Sequence, residues 1–175
     1  RPTLLIDLDP QANSSISFLD LRNVDASTYD AITDPARPLR SIIHPAPLAN
    51  LWVAPARIAL AKLEARLVGE LDAPFRLKDK IQQLGDEFSD IVIDCPPALG
   101  LLTINALVAA THLLIPIQSS YFALEGTDDL LETVEKVRQR PNPGLRILGV
   151  VITMHDKRTA LGRDIRKQIQ KVFGN

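Results

Sequence analysis

Cysteine occurs once in the 175 residues, as Cys95, which excludes a disulfide within the chain and suits a reducing cytoplasm. The position closes an apolar run, so inert packing is expected of it rather than thiol chemistry. Histidine occurs three times, and no second His or Cys stands at ligand spacing from His44, His112 or His155, which argues against a zinc-type centre. Neither sign of charge dominates. Twenty Lys and Arg face 21 Asp and Glu, a net charge of −1, so any hold on nucleic acid must come from a local patch. No signal-type segment is expected, because Arg1-Pro2 leads straight into strand-like residues. Charge is missing altogether between Asp94 and Glu125, which raises the question of membrane insertion. Pro96, Pro97, Asn105, His112, Pro116 and Gln118 interrupt that stretch, whereas a spanning helix needs about 20 mainly apolar residues. A buried helix over Leu101–Ala110 and a core strand over His112–Ile117 account for it better, and no membrane partner is expected.

What is present is ordinary in bulk and specific in pattern. Hydrophobic residues make up 46% and charged residues 23%, as in globular chains, and the length predicts one domain over residues 1–175. Two runs are built alike: Leu4-Leu5-Ile6-Asp7-Leu8-Asp9-Pro10-Gln11, and Asp90-Ile91-Val92-Ile93-Asp94-Cys95-Pro96-Pro97. Each reads as a strand buried on both faces, of the kind found in parallel sheets. Their carboxylates then fall at the carboxyl end of the strands, where open α/β sheets bind ligands.

The other elements follow in order. A polar loop is expected over Gln11–Ser17, a short helix around Thr28–Ile32, and an irregular connection marked by Pro35, Pro38, Pro45 and Pro47. Leu51–Ala54 reads as a strand stopped by Pro55, with Leu51 and Trp52 as core residues. Leu60, Leu63, Leu67 and Leu71 repeat at helical spacing within Ile58–Leu71, and Pro74 can start a helix running to about Phe88. After the second acidic strand come the helix and strand already named, the Ser119-Ser120 loop, and a helix over Leu124–Gln139. A strand over Leu145–Thr153 and a helix over Thr159–Phe173 end the series, the helix carrying Leu161, Ile165, Ile169 and Val172 on one face. Alternating strands and helices predict an α/β domain with a mostly parallel sheet flanked by helices.

Asp7 and Asp9 flank Leu8, so on a continuing strand both would point to one side. Such a pair can hold Mg²⁺ through its waters or orient an attacking water, or it can simply cap a turn with Pro10. Asp94, after four apolar or acidic strand residues, has the look of a Walker B acid, which adds weight to a magnesium and phosphate site. Between Lys157 and Lys171 there are six basic residues (Lys157, Arg158, Arg163, Arg166, Lys167, Lys171) against Asp164 alone. Arg163, Arg166 and Lys167 share a helical face, which is either a plain solvated surface or a phosphate-contacting one.

Four blocks, in order along nearly the whole chain, carry a more specific resemblance. They are Asp7-Leu8-Asp9-Pro10-Gln11-Ala12-Asn13, the run from Ile93 to Leu107, Tyr121-Phe122-Ala123-Leu124-Glu125-Gly126, and the run from Gly149 to Thr159. They resemble the successive signatures of the ParA/Soj family, deviant-Walker ATPases of plasmid and chromosome partition. The resemblance implies a P-loop NTPase-like fold and an ATPase that uses ATP and Mg²⁺. It implies an ATP-dependent homodimer that binds DNA without sequence preference and is stimulated by a ParB-like partner, in the cytoplasm at the nucleoid. Carried over, Asp9 resembles the acid that orients or activates the attacking water, Asp94 the Walker B acid near Mg²⁺, and Asp7 a supporting acid of that metal site. Gln11 and Asn13 would lie in the loop following the phosphate, near the dimer face. Thr153 and Met154 resemble the adenine-side wall. Arg158 resembles a basic residue used for DNA, joined by Lys157, Arg163, Arg166 and Lys167.

The family's phosphate loop, a Lys-Gly-Gly-x-Gly-Lys-Thr type sequence, occurs nowhere in these residues. The chain is therefore expected to be a central, incomplete part of such a domain, binding ATP weakly if at all by itself and exposing apolar sheet edges. Ala12 and Ala98 stand where the family often has Gly and Ser. Two other readings stay open: a MinD-like positioning ATPase at a membrane, which would want an amphipathic C-terminal tail, and a non-catalytic DNA- or partner-binding module.

Overall fold

The computed structural model describes residues 1–119, 125–156, 158 and 160–173, which divide into two compact units, Arg1–Ala109 and Ala110–Asn175. The first unit holds a four-stranded sheet in the order β2-β3-β1-β4, formed by β1 (Thr3–Asp7), β2 (His44–Pro45), β3 (Leu51–Ala54) and β4 (Asp90–Asp94). β1 runs parallel to both β3 and β4, and only the two-residue β2 is antiparallel, to β3. Branched side chains place β1 at the centre, with Leu4 and Ile6 fully buried and Leu8 buried just beyond its end.

The matching run in β4 behaves differently. It has a single neighbouring strand among the described residues, and Val92 is 52% exposed. The expectation of a strand covered on both faces therefore holds for β1 and fails for β4. Composition cannot distinguish a central strand from an edge one.

Local structure departs from the sequence reading in four further places. The polar stretch read as a loop contains helix α1 (Asn13–Phe18). Ile58–Leu71 is not one helix: a 3₁₀ segment (Ile58–Lys62) leads into the one-turn α3 (Leu63–Arg66), and Gly69 then turns the chain at φ 86°. Leu60, Leu63 and Leu67 face the core, but Leu71 lies beyond that turn and is 97% exposed. The helix after Pro74 is a 3₁₀ turn (Ala73–Phe75) followed by α4 (Arg76–Gln82), ending well before Phe88. The proline-rich connection is partly ordered, with a 3₁₀ turn over Leu39–Ile42 that buries Leu39 and Ile42. Helix α2 (Thr28–Thr33) lies where expected, begun by a capping box in which Ser27 and Asp30 satisfy each other's backbone donors.

Helix α5 (Leu101–Ala109) closes the first unit. Its buried Asn105 is a cross-link: Oδ1 accepts from Leu77 N at 3.1 Å, and Nδ2 donates to Ala73 O and Leu101 O, both at 2.9 Å. That one amide fastens α5 to the start of α4.

The second unit pairs β5 (His112–Gln118) with β6 (Arg146–Thr153) in parallel, connected through α6 (Glu125–Gln139) and followed by α7 (Ala160–Phe173). Ile115, Ile117 and Ile169 form its buried centre. Leu124 lies outside the described residues, as do the side chains of Leu161, Ile165 and Val172. No helix among the described residues is long and apolar enough to cross a membrane.

Replacing Asn105 with Leu keeps the volume but leaves the Leu77 N–H and the Ala73 carbonyl buried without partners. We expect a loss of about 2–3 kcal/mol in urea-unfolding stability. A loss below about 0.5 kcal/mol would show that the cross-link carries no weight.

Candidate functional site

The parallel register of β1 on β4 sets Asp7 directly opposite Asp94. One further ladder bond, Leu8 N to Asp94 O at 2.8 Å, keeps the two chains together just past the strand ends. Three acids thus gather at one carboxyl edge, and each has a different environment.

Asp7 is fully buried. Its Oδ1 accepts from Asp9 N at 3.0 Å, and its Oδ2 accepts from Ser15 N at 2.8 Å and Ser15 Oγ at 2.7 Å. The Ser15 hydroxyl in turn accepts from Ala56 N at 2.8 Å, and the Asp7 carbonyl accepts from Thr28 Oγ1 at 3.0 Å. Burial pushes the Asp7 carboxyl above its ordinary value of 3.8; the bonds from Ser15 and Asp9 oppose the rise, and the nearby Asp94 charge adds to it.

β1 ends at Asp7, so strand alternation does not continue to Asp9, which is half-buried in the turn that follows. Asp9 Oδ1 accepts from Gln11 N at 2.9 Å and its carbonyl from Ala12 N at 2.9 Å, so the acid does cap the turn containing Pro10. Its Oδ2 has no hydrogen-bond partner among the described residues. Capping occupies one oxygen and leaves the other for a ligand.

Ala12 starts α1 at φ 56°, a left-handed conformation that glycine adopts freely. The strain of about 1–2 kcal/mol for alanine there is offset in part by burial of its methyl, worth about 0.8 kcal/mol. α1 then delivers Ser14 to Asp94, whose Oδ2 accepts its hydroxyl. Cys95 follows, its thiol pushed up to about 12 by burial and by the Asp94 charge, which disfavours the thiolate.

Ser14, Ser15 and Thr28 are the site residues that sequence reasoning missed. For Ser14 and Ser15 the signal was a hydroxyl pair soon after Asp-Leu-Asp-Pro, but hydroxyls also favour loops, and only the fold directs them at the carboxylates. Thr28, which donates to the Asp7 carbonyl, lies far along the chain and gave no such signal.

Among the described residues no group of three or more His, Cys, Asp and Glu forms a closed metal site. The donor set still fits Mg²⁺. Hard carboxylate oxygens from two adjacent segments suit an ion that keeps several waters and takes other ligands from phosphate. Asp94 and Asp9 are placed for this, whereas both oxygens of Asp7 are already engaged by protein donors.

The remaining sequence candidates are distributed as follows. Gln11 is exposed, one residue before Ala12. In the second unit, Thr153 ends β6 and its carbonyl accepts from Ser119 N at 2.9 Å. Met154 follows at φ 52°, 82% exposed, its sulfur accepting from Gln118 Nε2 at 3.1 Å. Arg158 is paired with Asp156 through Nε and Nη2, both at 3.1 Å, while its side chain stays 90% exposed. This pairing holds the Asp156 carboxyl below its usual range. Arg163, Arg166 and Lys167 are exposed on α7, and Arg163 Nη1 donates to the Arg158 carbonyl at 3.1 Å. Lys157 lies outside the described residues.

The mostly parallel sheet with flanking helices and acids at its carboxyl edge is of the P-loop NTPase-like class, as its structural neighbours show. A structure of cobyrinic acid a,c-diamide synthase from Mycobacterium smegmatis, with bound ADP and magnesium, matches with a TM-score of 0.91 at 31% identity, over 99% of this chain and 71% of that one. A family model described as AAA domain matches residues 2–147. The chromosome partitioning protein ParA of Myxococcus xanthus is 41% identical over 175 residues, covering 99% of this chain and 61% of that protein. The sporulation initiation inhibitor protein Soj of Bacillus subtilis is 42% identical over 174 residues, covering 99% of this chain and 68% of that protein. The chain belongs to the ParA/Soj family of partition ATPases, and it spans between 61% and 68% of the length of these two relatives.

Asp7 gives a prediction with a defined sign. Its native carboxyl binds a proton more tightly than the unfolded one, so its contribution to stability is present at low pH and is lost as pH rises through the raised native value. Asp7→Asn must set its NH₂ against the N–H of Asp9 or of Ser15, at a cost of about 2 kcal/mol near pH 4. In urea titrations that cost should shrink between about pH 4 and pH 7; a cost that grows with pH contradicts the assignment.

Proposed function

We propose that the intact gene product is a partition ATPase that couples Mg-ATP hydrolysis and dimerisation to sequence-independent DNA binding. The observation that carries this reading is the register pairing of Asp7 with Asp94, with Asp9 in the adjoining turn. Family membership supplies the reaction class, and the magnesium and ADP held by the cobyrinic acid a,c-diamide synthase relative support the choice of ligand.

In this reading Asp94 would hold Mg²⁺, and Ser14 steadies the carboxylate that would do so. Asp7 belongs to the metal site as its buried support: it fixes the backbone of Asp9 and the start of α1. The unengaged oxygen of Asp9 orients or deprotonates the attacking water, while its other oxygen stays on Gln11 N. Gln11 lies on the nucleotide side of the turn, and Thr153 and Met154 wall the adenine. Bound Mg²⁺ would neutralise charge on the phosphates. The phosphate cradle itself belongs to the family's glycine-rich loop, which these residues do not contain.

Lys157, Arg158, Arg163, Arg166 and Lys167 contact DNA phosphates, which gives affinity without base readout. Arg158 must trade Asp156 for a phosphate to do so. A ParB-like partner stimulates hydrolysis, and the protein works in the cytoplasm at the nucleoid.

The test uses the intact gene product. Asp9→Ala should lower ATP turnover by about 100-fold or more while ATP binding persists. Charge reversal of Arg158, Arg163 and Arg166 to Glu should abolish retention on non-specific DNA and flatten its salt dependence. Unchanged turnover removes Asp9 from the chemistry, and unchanged retention removes α7 from the DNA.

A further inference from the structure

The segment from Cys95 to Gly100 joins the metal-side acid to α5 and has no regular structure of its own. Its first end is fixed by the sheet, through Leu8 N to Asp94 O at 2.8 Å. Its far end is fixed by a residue distant in sequence: Glu64, on α3, whose Oε1 accepts from Leu101 N at 2.6 Å. The approach depends on Gly100. A Cβ at that position would overlap the Glu64 carboxylate, so a side chain there would push the carboxylate from its present place.

Three features make this more than an isolated surface bond. Leu63, beside Glu64, is fully buried and roots α3 in the core, while Glu64 itself is exposed and reaches Leu101 from that anchored turn. The acceptor is negative and sits at the positive end of a nine-residue helix, where a charge-assisted bond is stronger than a neutral one. The segment also folds back on that helix, with Thr103 Oγ1 donating to Ala98 O at 2.6 Å and Ile104 N to Gly100 O at 3.0 Å. The geometry points to Glu64 as a positioning residue. It braces the far end of the 95–100 segment from α3, while the sheet holds the Asp94 end, so that the chain leaving the metal-side acid is fixed at both ends. This role rests on the reading of Asp94 as the metal-side acid; the contact itself does not.

The experiment compares Glu64→Ala, Glu64→Gln and Gly100→Ala in the intact gene product by amide exchange and by ATP turnover. Glu64→Gln keeps an acceptor for Leu101 N and serves as the conservative rescue. For Glu64→Ala and Gly100→Ala we expect exchange to rise roughly fivefold at Leu101 and to spread to Asp94, Cys95, Ala98 and Leu99. We expect kcat to fall by about fivefold with KM for ATP within about twofold, because a displaced group costs rate rather than binding. Glu64→Gln, which keeps the acceptor without the charge, should fall much closer to wild type than Glu64→Ala in both readouts. Faster exchange confined to Leu101–Thr103 with wild-type kcat would mean that Glu64 only caps α5, and would overturn the proposal, as would unchanged exchange at Leu101. Should the wild-type protein itself fail to hydrolyse ATP, the partition reading falls, and the spread of exchange into 94–99 alone then decides the bracing role.

Discussion

A carboxylate shut away from water at the end of a central strand must find donors, and the first unit is arranged around that need. Asp7 receives three hydrogen bonds from Ser15 and Asp9. Ser15 also accepts from Ala56 beyond β3, and Thr28 at the start of α2 donates to the Asp7 carbonyl. Four separate stretches of chain therefore meet at one residue. An unpaired buried carboxylate would cost far more than any of these contacts returns singly, so the arrangement holds together as a set or not at all. Its consequence for function is indirect: Asp7 fixes the backbone of Asp9 and the start of α1, and leaves Asp9 and Asp94 as the half-buried acids of that edge.

Much of this was legible beforehand. The acid-terminated runs became β1 and β4, and the uncharged stretch after Asp94 became α5 and β5 as periodicity and proline placement required. The order of strands and helices specified an α/β layered class, and the four ordered motifs specified the family. These features survive in sequence because each is local or repeats over several residues.

What sequence reasoning missed depends on long-range geometry. α1 escaped notice because Asn13-Ser14-Ser15 favours loops, yet in the fold the two serine hydroxyls serve two carboxylates held by β1 and β4. Leu71 continues a helical leucine repeat and still leaves the core, since Gly69 turns the chain first. Glu64 and Gly100 give no local sign of their contact. Ala12 is the reverse case: the backbone at φ 56° accounts for the glycine the family usually has there, and alanine is strained in its place, with its buried methyl returning part of the cost.

The convergence of Asp9 and Asp94 on a single metal-nucleotide pocket is the claim on which the functional account stands. Its most direct measurement is Mn²⁺ binding to the intact gene product, followed by electron paramagnetic resonance in the presence of a non-hydrolysable ATP analogue. Nucleotide-dependent binding should be present in the wild-type protein and weaker by about 10-fold or more in Asp94→Ala. Equal Mn²⁺ affinity in the two proteins would contradict the account.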